Sequence, residues 1–598
     1  MLNVVIMAGI LITLVTIIPV IAQLRSHPRG LVILFFAEMW ERFSYYGMRG
    51  LLIFYLTQHF LFDDAFSQGQ YGAYTSLVYL MPLIGGLLAD RYLGTRKAIA
   101  FGALLLVAGH LLMAVEQPPA TQVLTYQGQT YAFSSEGRMD DREVRLVIDG
   151  VGYEVGAGAE GGLAIKGLPA NATLPAELPK GSYELAVEGR DPLFVNVLFL
   201  ALSLIIMGVG FLKPNISSIV GQLYGEDDPR RDPGFTLYYY GINLGAFWAS
   251  ILCGYLGQTV GWWAGFGLAG LGMLLGFVVF TLGKPLLEGK GEPPNPDQLR
   301  KPLLGPINRE WLIYLAGLAG VAIVWVLVQR YEVVGLLLGV GSVLVLAYFG
   351  YFMVTKLTKI ERDRLILALI LIASSVVFWT LFEQAGSSLN QFAERNTQLQ
   401  IWPTETLQIA GLTIDMSFGA AQAQSFNSGF ILLFAPLFAG LWAFLERRKL
   451  DPSDPLKFGL ALIQVGAGFL VLVFGATFAD GDYRVPLMFL ALAYLLHTTG
   501  ELFLSPVGLS AMTKLSPALL ISTLMATWFM ASAWAQWIGG LVAQLTAAET
   551  VAGQVLDPAK ALATYVQVFQ AIGVVAIVIG IVLSLASFQL KKLAHREH

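Results

Sequence analysis

Apolar residues run through this chain in long blocks, and polar residues collect between them. A membrane-crossing helix needs roughly 20 mostly apolar residues. Fifteen blocks qualify, at about 3–22, 31–60, 71–90, 97–115, 193–221, 234–253, 260–283, 311–329, 333–355, 364–389, 423–445, 458–478, 486–512, 518–544 and 563–588. The pattern predicts an all-α polytopic membrane protein. Residues 116–192 break it. Runs such as Glu143-Val144-Arg145-Leu146-Val147-Ile148 and Tyr183-Glu184-Leu185-Ala186-Val187 alternate in polarity, with Gly and Pro between them. That stretch predicts a small β-rich domain outside the membrane. Loop 284–306, rich in Pro and Gly, reads as a linker, and loop 390–422 is long and polar.

Composition supports this reading. Of 598 residues, 56% are hydrophobic and 13% charged, against about 25% charged in soluble chains. A soluble enzyme of this size could not hide that much apolar surface, and disorder is excluded on the same ground. A net charge of −4 leaves no nucleic-acid footprint. The single cysteine, Cys253, excludes an intramolecular disulfide and argues against a thiolate metal cluster, so no metal is expected.

Lysine and arginine orient the spans. One set of loops carries most of them, including Arg25, Arg29, Arg91, Arg96, Lys97, Arg230, Arg231, the 447–449 cluster and Lys591, Lys592 and Arg596 at the C-terminus. The short loops of the other set carry Arg330, Arg395, Arg484 and Lys560. The asymmetry predicts a periplasmic N-terminus and a cytoplasmic C-terminus. The first block lacks a basic leader and a small-residue cleavage site, so it is expected to remain as a helix.

The second block interrupts its apolar run with Glu38, Glu41, Arg42, Tyr45, Tyr46 and Arg49. On a helix these six occupy about 140° of arc. Each central charge facing lipid would cost about 2.5–3.5 kcal/mol, so the stripe must line protein or a wet cavity. A buried ion-pair cluster that fixes packing is the plainer reading. Two carboxylates and two arginines among tyrosines exceed what packing needs, and a proton relay with a ligand clamp accounts for them better. Away from their ends, the blocks hold the acids Glu38, Glu41, Glu383 and Glu501 and the bases Arg42, Arg49 and Lys213. One carboxylate is thus left without a cationic partner, and a buried unpaired carboxylate tends to take up a proton.

Glu38-x-x-Glu41-Arg42-Phe43-x-Tyr45-Tyr46-Gly47 resembles the signature of the proton-dependent oligopeptide transporter family, part of the major facilitator superfamily. Further matches are Gly86 to Lys97 around Asp90, Arg91 and Arg96, Phe235 to Gly245 around Asn243, and Lys213-Pro214-Asn215. Phe378-Trp379 with Glu383-Gln384, and Gly500-Glu501 through Ser505-Pro506, also match. The resemblance covers about 31–115 and 193–590.

The resemblance implies a major facilitator fold: a six-helix bundle from 31–115 and 193–283, and a second from 361–590. It also implies a two-helix insertion at 311–355. The helix at 1–24 and the insert at 116–192 depart from the family pattern and inherit no role. The implied function is proton-coupled import of di- and tripeptides by alternating access, with broad side-chain specificity, and no enzyme activity. The implied setting is a bacterial inner membrane, a monomer in the lipid bilayer, no nucleic-acid partner, and no cofactor beyond the proton.

Residue roles follow from the same resemblance. Glu38, Glu41, Arg42, Lys213 and Glu383 are expected in proton coupling, with Glu383 pairing Arg49 as a gate. A dipeptide is zwitterionic, so Arg49 and Lys213 would hold its carboxylate and Glu501 its amino terminus. Asn243 and Asn427 would read its backbone, with an interhelical hydrogen bond as the rival role for each. Tyr45, Tyr46, Tyr79, Trp379, Trp528 and Ser532 would line the peptide site. Asp90, Arg91, Arg96 and Lys97 would stabilise bundle closure and mark topology. His497, one turn before Glu501, either touches the site or is a hydrogen-bonded core histidine.

Three other functions compete. Uptake of nitrate or another small anion is opposed by Glu501, since an anion needs no carboxylate partner. A receptor or scaffold with inert helices is opposed by the charged stripe. An enzyme is opposed by the lack of a nucleophile motif, paired metal ligands or a phosphate loop.

Overall fold

The computed structural model describes residues 2–137, 142–225, 227–409 and 411–595. Arg596 and the side chain of Pro506 lie outside the described residues.

Fifteen long helices match the fifteen apolar blocks. The first seven are α1 Val4–Leu24, α2 Arg29–Phe54, α3 Asp64–Leu80, α4 Thr95–Met113, α5 Pro192–Gln222, α6 Arg231–Thr259 and α7 Trp262–Leu282. Next come α8 Arg309–Val328, α9 Tyr331–Thr355 and α10 Lys359–Phe382. The last five are α11 Ser425–Arg447, α12 Asp454–Gly475, α13 Leu487–Leu515, α14 Ile521–Gln544 and α15 Pro558–Leu590. α3 continues through Pro82–Leu88 and a π-turn at Ala89–Leu93. Many helices outrun their apolar blocks because polar caps start them earlier. The Asp63 carboxylate accepts from Phe66 N at 2.8 Å to start α3, Asn308 caps α8, and Thr358 with Glu361 forms a capping box on α10.

Among the described residues, thirteen helices are long and apolar enough to cross a membrane. The other two long helices, α2 and α6, are the ones that bury polar side chains against protein, among them Glu38, Glu41, Arg42, Arg49 and Asn243. A helix packed on several faces by its neighbours does not need an apolar surface there.

Helices α2–α7 pack into one half and α10–α15 into the other, the two six-helix bundles of a major facilitator fold. The halves meet along two seams, α3 against α14 and α6 against α11. The helix pair α8–α9 packs on α5, α3 and α14, flanking the first seam. The extra helix α1 packs on α6 and α11, flanking the second. Thr16 Oγ and Tyr240 OH lie 2.8 Å apart, and Trp248 Nε1 donates to Thr13 Oγ at 3.0 Å. Leu2–Asn3 pairs in parallel with Leu412–Asp415, which brings the chain start to the loop between α10 and α11.

Residues 121–188 form a seven-stranded antiparallel sheet between α4 and α5. Its strands are β1 Thr121–Tyr126, β2 Gln129–Glu136, β3 Glu143–Ile148, β4 Val151–Ala157, β5 Leu163–Ile165, β6 Glu177–Leu178 and β7 Glu184–Glu188. They are ordered β6-β5-β4-β3-β2-β1-β7. The alternation in β3 buries Val144, Leu146 and Ile148 and exposes Glu143. Gln127-Gly128 and Asp149-Gly150 have φ of 49°, 81°, 52° and 81°, the mirror-image turns that close two-residue hairpins.

The halves touch mainly at the end of the bundle that carries this insert. There Ser76 Oγ donates to Ala533 O at 2.9 Å and Asn390 Nδ2 to Gly50 O at 2.9 Å. α3 and α14 approach so closely that a Cβ on Gly72 would lie 2.9 Å from Gly540 Cα. Toward the opposite end, α11 presents its apolar residues outward. Its fully buried residues are Ser425, Ser428, Gly429, Ile431 and Leu432, all near its start, while Leu437, Leu441 and Phe444 are exposed. The bundle is therefore closed at the insert end.

Candidate functional site

The site lies between the halves and is built largely on α2. Helical spacing puts Glu38, Glu41, Arg42, Tyr45 and Arg49 on one buried face, and each is at most 7% exposed. Arg42 Nε lies 2.9 Å from Glu38 Oε1 and 3.0 Å from Glu41 Oε2. A guanidinium Nε carries one hydrogen, and here it is donated to Glu38. Glu41 keeps the charge contact, but neither of its oxygens accepts a hydrogen bond among the described residues.

Two turns further along, Arg49 pairs with Glu383 at the end of α10, across the two halves. Its Nε donates to Tyr71 OH on α3 at 2.6 Å, and its guanidinium lies 5.6 Å from the Tyr46 ring centre.

Lys213 comes from α5. Pro214 follows it and has no amide hydrogen, so the Gly210 carbonyl loses its helical donor. Gly85 of the α3 continuation packs against that carbonyl, where a Cβ would lie 2.0 Å from Gly210 O. The Lys213 ammonium rests 4.1 Å from the Tyr79 ring centre and has no ion pair among the described residues. Glu41, Glu38 and Glu383 lie within its electrostatic reach.

The second half supplies the opposite pole. Asn427 Nδ2 on α11 donates to Glu501 Oε2 on α13 at 3.1 Å and to Thr498 Oγ at 3.0 Å. Tyr46 lies within electrostatic reach of Arg49, Glu383, Arg42 and Glu501, so one residue senses both poles. The arrangement suits a ligand carrying both charges, and the Arg49–Glu383 pair closes it from the insert side.

Asn243, Trp379, Trp528 and Ser532 make their polar and ring contacts within their own half. Asn243 is buried and donates to Tyr239 O, one turn back on its own helix, at 3.0 Å. Trp379 packs edge-on against Phe378 and Phe382. Ser532 bonds to Trp528 O at 3.3 Å, and Trp528 lies against Gly508. These contacts stay within one half. His497 is in the core of the second half, 1% exposed, beside Phe469 and bonded to the Val465 backbone, so it is a core histidine.

The loop cluster also differs from expectation. Arg96 Nε lies 2.9 Å from Glu292 of the linker, and Lys97 lies 2.6 Å from Glu310 of α8. The Arg96 hydrogen bond and charge hold the Glu292 carboxyl below its ordinary range. Asp90 and Arg91 are exposed. Here the basic residues tie the first half to the linker and α8, and among the described residues none of the four has an ion pair to the second half. The reason is proximity: the linker returns past the start of α4, where Arg96 N donates to Gly291 O at 2.9 Å.

One buried lock escaped the sequence reading. The Asp64 carboxylate takes both Arg395 nitrogens, at 2.6 and 2.9 Å, and Ala548 N at 2.9 Å. Asp64 starts α3, Arg395 follows α10 and Ala548 precedes α15, so the lock crosses the halves at the insert end. Both side chains are at most 4% exposed. Asp64→Ala would strip the Arg395 guanidinium of its two-pronged acid partner and leave Glu394, 3.5 Å from its Nε, as its remaining ion pair among the described residues. The expected loss is about 3 kcal/mol, seen as a lower thermal midpoint in detergent. Asp64→Ala/Arg395→Met should recover most of it.

Comparison with known proteins places this geometry among transporters. The POT family model matches residues 96–561. The uncharacterized transporter YclF of Bacillus subtilis (strain 168) is 33% identical, over 87% of this chain and 88% of that protein. A di-/tripeptide transporter of Lactococcus lactis subsp. lactis (strain IL1403) is 31% identical, over 95% of this chain and 97% of that protein. The crystal structure of a POT peptide transporter in complex with sulfate superposes with a TM-score of 0.68 at 31% identity, covering 95% of this chain and 96% of that one.

Proposed function

The chain belongs to the POT family, and we propose on that premise that it is a proton-coupled symporter of di- and tripeptides. It works by alternating access around the site between its halves. One observation carries the reading. Lys213 and Arg49 of the first half and the Asn427-held Glu501 of the second are buried in one electrostatic neighbourhood around Tyr46, so a peptide's two termini would find opposite charges on opposite halves.

In this reading Arg49 and Lys213 take the peptide carboxylate and Glu501 its amino group. Asn427 orients Glu501 and meets the peptide backbone beside it, and Asn243 does so from α6. Tyr45, Tyr46, Tyr79, Trp379, Trp528 and Ser532 form the walls, whose amphipathic rings suit many side chains. Glu38, Glu41 and Arg42 handle the proton together with Lys213 and Glu383. A peptide carboxylate and Glu383 compete for Arg49, so protonating Glu383 frees the cation for substrate. Asp90, Arg91, Arg96 and Lys97 hold the cytoplasmic end once the halves close there. The insert and the N-terminus lie in the periplasm and the C-terminus in the cytoplasm of a bacterial inner membrane, which puts the closed end on the periplasmic side. The transporter acts as a monomer.

Uptake into proteoliposomes tests the proposal. An imposed inward proton gradient should drive accumulation of labelled dialanine. No stimulation by the gradient removes symport, and competition by nitrate in place of unlabelled dialanine would move the substrate to small anions.

A further inference from the structure

We propose that the β insert is a latch: it grips a hairpin of the second half and must release it each time the insert end opens. The latch rests on alternating access in this chain and is independent of which solute is carried.

The insert is fixed to the first half at its base. Arg190 Nε donates to Phe60 O at 2.8 Å and Nη2 to Leu61 O at 2.7 Å. Its guanidinium lies 4.2 Å from the Phe62 ring centre, and Ala120 N donates to His59 O at 3.0 Å. These bonds end on backbone carbonyls at the insert end of α2, so the base moves with that half.

The other side of the sheet holds a piece of the second half. Between α14 and α15, Thr550–Val551 and Gln554–Val555 form a small hairpin. Val551 and Ala552 are 2% and 4% exposed, and they sit in the apolar core of the insert with residues such as Leu124 and Phe133. Leu556 packs at the edge of that core. Ala552 N donates to the Gln122 side chain, and Ala552 O accepts from Arg142. Lys180 and Glu549 pair at the rim, 3.5 Å apart.

The same loop supplies Ala548 N to the Asp64–Arg395 lock. The latch therefore closes directly over the gate. Alternating access must part α3 from α14 at this end, and α14 carries the hairpin away with it. An insert bound by its base to α2 cannot follow. Hence burial of Val551, Ala552 and Leu556 favours the state closed at the insert end, and the core helices alone lack that bias.

Two experiments test the latch. Nitroxides at Val260→Cys and Lys560→Cys report the separation of the halves at the insert end; both positions are exposed, and the native Cys253 is buried. Val551→Asp should raise the long-distance population at least threefold over the parent. Leu556→Ser serves if Val551→Asp is not monodisperse. Unchanged distances in a folded variant overturn the latch. Separately, cross-linking Gln122→Cys to Ala552→Cys should cut uptake at least tenfold, with recovery under reductant. Full transport by the cross-linked protein would show that the insert travels with the second half. If the parent moves no peptide at all, the transport reading fails while the distance measurement still decides the latch.

Discussion

Glu41→Gln is expected to abolish gradient-driven accumulation of dialanine while leaving exchange between internal and external peptide intact. A gradient of two pH units supplies about 2.7 kcal/mol per proton, roughly a 100-fold concentration ratio. The parent should approach that ratio and the variant should stay near unity, with counterflow within about threefold. The reason lies in how Arg42 divides itself. Its one Nε hydrogen goes to Glu38, and Glu41, fully buried, keeps a charge contact with no hydrogen-bond donor on either oxygen. A carboxylate so placed gives up no hydrogen bond when it takes a proton. Glutamine has the same shape and cannot take one. Glu38→Gln should behave differently, since it turns the charge-assisted Arg42 hydrogen bond into a weaker neutral one and loosens the packing of α2. Initial rates with and without the gradient, beside counterflow at equal pH, separate the two. Accumulation retained in Glu41→Gln would move the proton site elsewhere.

The charged stripe was readable from sequence because a charged face inside an apolar block cannot be turned to lipid cheaply. Six residues at helical spacing define a face without any knowledge of its neighbours. The positions of the fifteen helices were readable for the same reason. Their ends were not, because capped polar turns extend a helix past its apolar block, as Asp63 does for α3. The Asp64–Arg395 lock was hidden twice. Its partners are 331 residues apart, and an aspartate at a helix start reads as an ordinary cap. Arg96 and Lys97 show a related limit: sequence marks a basic cluster but does not name its acids, and here those are Glu292 and Glu310. Alternation revealed a β insert. That its core is completed by a hairpin some 400 residues later is a tertiary fact with no local trace.

Glu501→Gln should weaken uptake of free dipeptides about 10- to 100-fold in KM, the range of one lost hydrogen bond to a charged group. N-acetylated dipeptides should change by less than about twofold. The discrimination rests on what each ligand presents. A free peptide offers an ammonium, and Glu501 is a carboxylate at the edge of the site on α13. Asn427 holds its Oε2 at 3.1 Å and is itself anchored to Thr498. Acetylation removes the charge, and an amide then serves the ligand nearly as well as a carboxylate. Competition of dialanine and N-acetyl-dialanine against one labelled peptide gives both affinities in a single preparation. A misfolded or misplaced α13 would weaken both ligands together, so an equal loss would assign Glu501 to the scaffold. A selective loss is what a pole for the amino terminus requires. The same logic assigns the other end: Lys213→Gln should penalise peptides with a free carboxylate more than their amides, because its ammonium stands with no ion pair among the described residues. Opposite selectivities in the two variants would fix the peptide's direction across the halves, amino terminus toward α13 and carboxylate toward α5.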